Sequence, residues 1–215
     1  MPEPQSGHPI RVVHVISQLI GGRGHLVAHA AATWTALGVR PVIVTPGEVF
    51  PKLQTMLEQA GAQVVRPPKP IGAPAARLAW IGAQLAAEPG DVIHLHDRAN
   101  MAVHPGLARR HHRGPIVATL HGCGKPPPFM LRIRTALARH WAQKRLGVVF
   151  VAVSSDVQAV EKRNFGIVCR CINNWTTPDL FPPPDPETRA ARRRDLGIPD
   201  DRSVVVTVAN CAPVK

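Results

Sequence analysis

Ile10-Arg11-Val12-Val13-His14-Val15-Ile16, then Gly21-Gly22-Arg23-Gly24, then His25 to Leu37: this stretch decides the fold. Its first part is a β-branched run of strand length. Its last part carries Val27, Ala31, Trp34 and Leu37 at helical spacing. Strand, glycine-rich turn and helix open a doubly wound α/β domain. The glycines let backbone N–H groups approach a ligand closely, and the N-terminus of the following helix favours an anion.

Outward from this unit the same alternation continues. Apolar, β-branched runs predict strands over 40–45, 62–65, 91–95, 115–120, 148–153 and 167–172. Helical spacing predicts helices over 50–60, 73–87, the second half of 99–112, 129–146 and 154–165. Strand and helix alternating with short connections imply an α/β, Rossmann-like, doubly wound parallel sheet with helices on both faces. Ligands of such sheets bind outside the carboxyl ends of the strands. Gly21, Gly22, Asp97, His121 and Ser154 all fall at those ends.

Residues 1–9 are polar and proline-containing and read as a flexible N-terminus, without the apolar middle of a signal peptide. Residues 10–173 form the Rossmann-like domain. Residues 174–186, with Phe181-Pro182-Pro183-Pro184-Asp185-Pro186, read as a linker. In 187–215, a short Arg-rich helix to Leu196 precedes a predicted valine strand, Ser203 to Val208. One lone strand is not a domain, so 187–215 reads as the incomplete start of a second one.

With no apolar run near 18 residues, no transmembrane helix is predicted, and a cytoplasmic location is the default. The net charge of +12 comes mostly from arginine. It suits a polyanionic partner such as an anionic membrane surface, or an arginine-rich composition. No nucleic-acid motif is present and aromatic residues make up 4%, too few for a stacking surface, so no nucleic-acid partner is expected. Cys123, Cys169, Cys171 and Cys211 contain no C-x-x-C. Cys169 and Cys171 are two apart in a predicted strand and should share a face, as reduced thiols.

Gly22 and Gly24 have the spacing of a dinucleotide loop, but Val27 stands where its third glycine belongs and the second strand ends without a carboxylate. That pattern leaves a looser phosphate or sugar loop, or a tight turn only. His94 and His96 share a strand face, yet no third ligand besides Asp97 is close in sequence, so neither a metal nor another cofactor is expected. His25 and His29 are one helical turn apart but lack the glutamate of H-E-x-x-H. His121-Gly122 ends a central strand, where an imidazole can point into the cleft or pack at the turn. In helix 129–146, Met130, Ile133, Leu137 and Trp141 line one face, and Arg132, Arg134, Arg139, His140, Lys144 and Arg145 lie largely elsewhere. This helix reads as core-facing with a solvated charged side, or as a surface docking on anionic lipid.

With these segments in place, the chain resembles the N-terminal, acceptor-side half of a GT-B glycosyltransferase, most like glycosyltransferase family 4. The segments that carry the resemblance are Val13 to Ser17 with Gly21-Gly22, Asp91 to His96, Val117 to Gly122, Val151 to Ser154, and Ile172-Asn173-Asn174 with Asp179-Leu180-Phe181. Arg192 to Pro199 and Val204 to Lys215 resemble the entry into the family's donor-binding domain. The sequence departs from the family at Arg23-Gly24, where an acidic residue is usual, and at Asn174-Trp175, where the linker usually has Asn-Gly. The resemblance implies a nucleotide-diphosphate sugar donor, a saccharide or lipid-linked acceptor, and transfer with retention. It implies His121 as the catalytic residue. Gly21, Gly22, Asp97, Ser154 and Asn173 would contact donor phosphate or substrate. It also implies that a donor-domain partner completes the site. The alternative is a non-catalytic sugar or lipid-head-group module, or an inactive truncated product.

Overall fold

The computed structural model describes residues 8–96, 104–122, 128–174 and 182–206. The chain divides into two compact units, Met1–Trp175 and Thr176–Lys215.

In the first unit, seven strands form one parallel sheet in the order β3-β2-β1-β4-β5-β6-β7. The strands are β1 (Ile10–Val15), β2 (Val39–Val44), β3 (Gln63–Val65), β4 (Val92–Leu95), β5 (Ile116–Leu120), β6 (Val148–Ala152) and β7 (Arg170–Cys171). The helices between them are α1 (Gly21–Ala36), α2 (Pro51–Gln59), α3 (Pro74–Ala87), α4 (His104–His111), α5 (Phe129–Arg145) and α6 (Ser155–Phe165). The expected α/β, doubly wound Rossmann-like sheet is therefore present. Its strand order reverses between β1 and β4, which defines the crevice where such sheets bind ligands.

Side chains alternate along each strand, so the two faces of the sheet have different cores. Val13 and Val15 of β1, Ile93 and Leu95 of β4, and Ile116, Ala118 and Leu120 of β5 pack with Ile81, Leu85, Ala108, Ala142 and Val157 from α3 to α6. On the other face Ile16 and Ile43 pack with Val27 and Ala31 of α1 and Leu53 and Leu57 of α2. The intervening residues of β1, β4 and β5, among them His14, His94 and Thr119, therefore belong to the face that carries α1.

Five expectations need correction. The first helix begins at Gly21, not His25, so Gly21-Gly22-Arg23-Gly24 is its first turn rather than a loop before it. Gly21 has φ of +59°, a conformation that suits glycine at the entry to that turn. Gly24 has a packing role, because a Cβ there would stand 2.8 Å from Leu53 Cδ1 and 2.9 Å from the Leu19 carbonyl carbon.

The seventh strand keeps only two residues, Arg170 and Cys171, paired with Val151 and Ala152. Ahead of it, the carbonyls of Val168 and Cys169 accept from the side chains of Gln143 and Gln158, each at 2.7 Å, instead of joining a ladder. Cys169 is consequently buried while Cys171 is exposed, so the two do not share a face. Both are free thiols. Burial, reinforced by Glu161, pushes the Cys169 thiol up to about 11. Cys123 and Cys211 lie outside the described residues.

The apolar stripe of α5 faces outward. Met130, Ile133, Leu137 and Trp141 are exposed, while Arg139 and Ala142 are the buried residues of the helix. The reason is Glu161 of α6, itself fully buried, which forms an ion pair with Arg139. The guanidinium also lies 4.4 Å above the Phe165 ring. A buried carboxylate demands its cation, and that demand fixes the rotation of α5.

In the second unit, α7 (Pro186–Asp195) is capped by Asp185, whose carboxylate accepts from Thr188 N at 2.8 Å and Thr188 Oγ1 at 2.6 Å. Among the described residues the predicted valine strand does not form. Ser203–Val206 is irregular, and Val205 and Val206 are exposed. Val208 lies outside the described residues.

The Arg139–Glu161 pair makes a direct prediction. Glu161→Ala leaves a buried guanidinium without its counter-charge and costs about 3–5 kcal/mol. Arg139→Met with Glu161→Leu recovers most of that loss. Urea unfolding followed by circular dichroism reads both. A single variant within about 0.5 kcal/mol of the parent, the range of neutral surface changes, contradicts the assignment.

Candidate functional site

The site is built where β1 and β4 part company. Their parallel register sets His14 of β1 beside His94 of β4. Period-two alternation sets His96 on the same face as His94. His121 follows β5, the next strand over. Four imidazoles from three adjacent strands thus meet on the α1 side of the sheet.

Three of them are joined by hydrogen bonds, and the fourth, His94, bonds to Thr119. His14 Nδ1 lies 3.1 Å from His96 Nε2, and His96 Nδ1 lies 3.1 Å from His121 Nε2. His94 Nε2 lies 2.7 Å from Thr119 Oγ1. The His14 ring stacks on Trp34 of α1, with centroids 4.5 Å apart and planes 10° from parallel. Each N–H···N link holds one proton, so the tautomers of His14, His96 and His121 are correlated.

These rings line a cavity of about 330 Å³ together with Leu26, Val27 and Trp34 of α1, Val117 and Thr119 of β5, Val151 of β6, Val153, Ile172 and Asn174. The walls are mainly apolar and the polar groups are few, as in a binding cleft. At the rim, Arg23 in the first turn of α1 reaches the His96 carbonyl at 3.4 Å. That puts a cation beside the N-terminus of α1, a setting suited to phosphate.

Burial sets the protonation. His14 and His96 are held well below the ordinary imidazole range, chiefly by desolvation and then by neighbouring imidazoles. His94 is lowered from 6.5 to about 4, first by burial and then by His121. All three are neutral at pH 7.

The residues singled out from sequence are distributed unevenly. His121 lines the cavity. Gly21 and Gly22 form the first turn of α1, with open space where their side chains would be. Ser154 is the N-cap of α6, its Oγ accepting from Val157 N at 3.2 Å. Asn173 is exposed, and its Oδ1 accepts from Cys171 Sγ at 3.5 Å; its neighbour Asn174 lines the cavity. Asp97 lies outside the described residues.

Sequence reasoning missed His14, Thr119 and Arg23. It sought a third partner for His94 and His96 only nearby in the chain. The signal was available in the topology: a histidine inside β1, on a sheet where β1 and β4 are neighbours, lands next to a histidine inside β4.

Comparison with known proteins identifies the class. The sequence matches the family Glycosyltransferase Family 4 over residues 20–179, and the chain belongs to that family. Solved structures of similar fold include a glycosyltransferase from Rickettsia africae ESF-5, with 18% identity and a TM-score of 0.67. That match covers 91% of this chain and 51% of the other. A second is Anabaena Alr3699/HepE in complex with UDP and glucose, with 18% identity and a TM-score of 0.63 over 87% of this chain and 50% of that one. The chain therefore spans about half the length of these structures. A comparison with curated proteins gives no match.

The lowered imidazoles predict acid sensitivity. A histidine whose folded pKa lies below its unfolded value binds more protons when unfolded, so stability is complete above about pH 6.5 and falls as pH drops toward 4. A tenfold loss of proton affinity on folding is worth about 1.4 kcal/mol. Each kcal/mol moves the melting temperature by roughly 2–4 °C, so it should fall by several degrees between pH 7 and pH 5. Measured in a chelating buffer, His14→Leu should flatten that slope. An unchanged slope contradicts the assignment.

Proposed function

We propose that this chain is the acceptor-side half of an enzyme moving a sugar from a nucleotide-diphosphate sugar to a saccharide or lipid-linked acceptor, with retention of configuration. The observation that carries the reading is membership of glycosyltransferase family 4, joined to a cleft at the β1–β4 crevice with an imidazole at its rim. The similar fold of HepE, solved with UDP and glucose, supports a nucleotide-sugar donor.

Within this reading His121 lies against the transferring sugar, where an imidazole polarises a hydroxyl or carries a proton. Gly21 and Gly22 bring backbone N–H groups of α1 toward the donor diphosphate, aided by the cation of Arg23. Asp97, Ser154 and Asn173 remain proposed substrate contacts, Ser154 with its hydroxyl already committed to the α6 cap. The nucleotide and the far side of the sugar would be bound by a donor-binding domain, and closure of two domains orients the reactants and excludes water.

The test uses the purified chain, a panel of nucleotide sugars, and saccharide and lipid acceptors. We expect acceptor-dependent shifts of the His121 ring signals in NMR, lost in His121→Ala, and no acceptor-dependent release of nucleoside diphosphate until a donor-binding domain is supplied. Acceptor-dependent turnover by the chain alone would overturn the half-enzyme reading. Sugar binding with no effect of any added donor domain would favour the non-catalytic module.

The outward stripe of α5 supports a membrane partner for a cytoplasmic chain. Phe129, Met130, Leu137 and Trp141 are exposed on a helix that also carries Arg132, Arg134, Lys144 and Arg145. Each basic residue near an anionic surface contributes about 1 kcal/mol. No helix among the described residues is long and apolar enough to cross a membrane, so the contact would be peripheral. The chain should co-sediment with vesicles containing anionic lipid and not with neutral ones. Met130→Glu with Leu137→Glu should abolish the effect, and binding unchanged in that variant would contradict it.

A further inference from the structure

We propose that His14, His94 and His96 form a binding site for a divalent transition-metal ion of the zinc class. Their ligand nitrogens all lie within 4.8 Å of one another, on one wall of the cleft. Such a site would stand whether or not the chain serves a glycosyltransferase.

The geometry suits such an ion. Two nitrogens each 2.0–2.1 Å from a tetrahedral zinc stand about 3.3 Å apart. His14 Nδ1 and His96 Nε2 stand 3.1 Å apart, so a small rotation of either ring admits the ion between them. His94 Nε2 is held by Thr119 Oγ1, which leaves its Nδ1 as the donor. Ligating histidines usually have their other nitrogen fixed in this way. His96 meets the same condition through His121. The cavity gives the ion an entry path and room for a water as fourth ligand.

The composition of the wall points the same way. Valines occupy the equivalent inward positions nearby at Val12, Val117 and Val151. An imidazole cluster is costly there, and His14 Nε2 is buried without a hydrogen-bond partner. Three imidazole ligands select a borderline ion such as zinc, cobalt or nickel over magnesium or calcium.

Ligation has a consequence inside the cleft. An ion on His96 Nε2 fixes that ring as the Nδ1–H tautomer, which donates to His121 Nε2. His121 is then held as its own Nδ1–H tautomer. The ion would thus set the hydrogen-bonding state of the residue at the rim without touching it.

The test is cobalt titration of the tag-free, chelator-treated chain, read by visible absorption. One equivalent should bind with the intense bands of a four-coordinate site and be displaced by zinc. His94→Gln should abolish those bands. Thr119→Val, which keeps all three ligands, should weaken binding by roughly 10–100-fold. His25→Gln with His29→Gln removes a separate close histidine pair, whose centroids are 6.2 Å apart, and should change nothing. Circular dichroism verifies folding of each variant. Absence of the bands in the parent chain overturns the proposal. So does binding that survives His94→Gln, or binding lost with His25 and His29.

Discussion

The parallel pairing of β1 with β4 is the constraint on which the rest of the site depends. It aligns Val13 with Ile93, His14 with His94 and Val15 with Leu95. The valine, isoleucine and leucine partners turn to the deeply buried face and hold the two strands in register. A slip of one residue would turn these apolar side chains away from α3 to α6 and turn the histidines into that core. The apolar core on one face thus guarantees the meeting of imidazoles on the other. The strand order reverses at this same pair, so the crevice of the sheet and the histidine cluster coincide.

A second constraint acts at a distance. The buried Arg139–Glu161 pair joins α5 to α6 and turns the aliphatic stripe of α5 outward. The helix therefore presents Met130, Leu137 and Trp141 on the surface of the same unit that holds the cleft. The buried Arg139 and Ala142 mark the core-facing side of this helix, and its apolar stripe is left exposed.

Much of the fold was legible in the sequence because parallel strands buried on both faces read as continuous β-branched runs. Val148 to Ala152 and Ile116 to Leu120 are of this kind and are strands as expected. Reading failed where a long-range polar contact overrode a local pattern. The Met130–Trp141 stripe has the spacing of a buried face, but the face that is buried carries Arg139, paired with Glu161 on another helix. Residues 167–172 alternate like a strand, but two glutamine side chains take carbonyls that a ladder would have used. In the cleft, His121 was legible as a polar residue at a strand end. His14 was not, because its significance lies in a neighbour 80 residues away in the chain.

The central claim is that strand register gathers His14, His94, His96 and His121 beside the crevice, with His14, His96 and His121 linked by hydrogen bonds and His14, His94 and His96 neutral. Nitrogen-15 NMR of the imidazole rings at pH 7, in metal-free protein, tests it most directly. The account predicts neutral rings for His14, His94 and His96, with scalar couplings across the His14–His96 and His96–His121 links. Protonated rings, or rings averaging freely between tautomers with no coupling across either link, would contradict it.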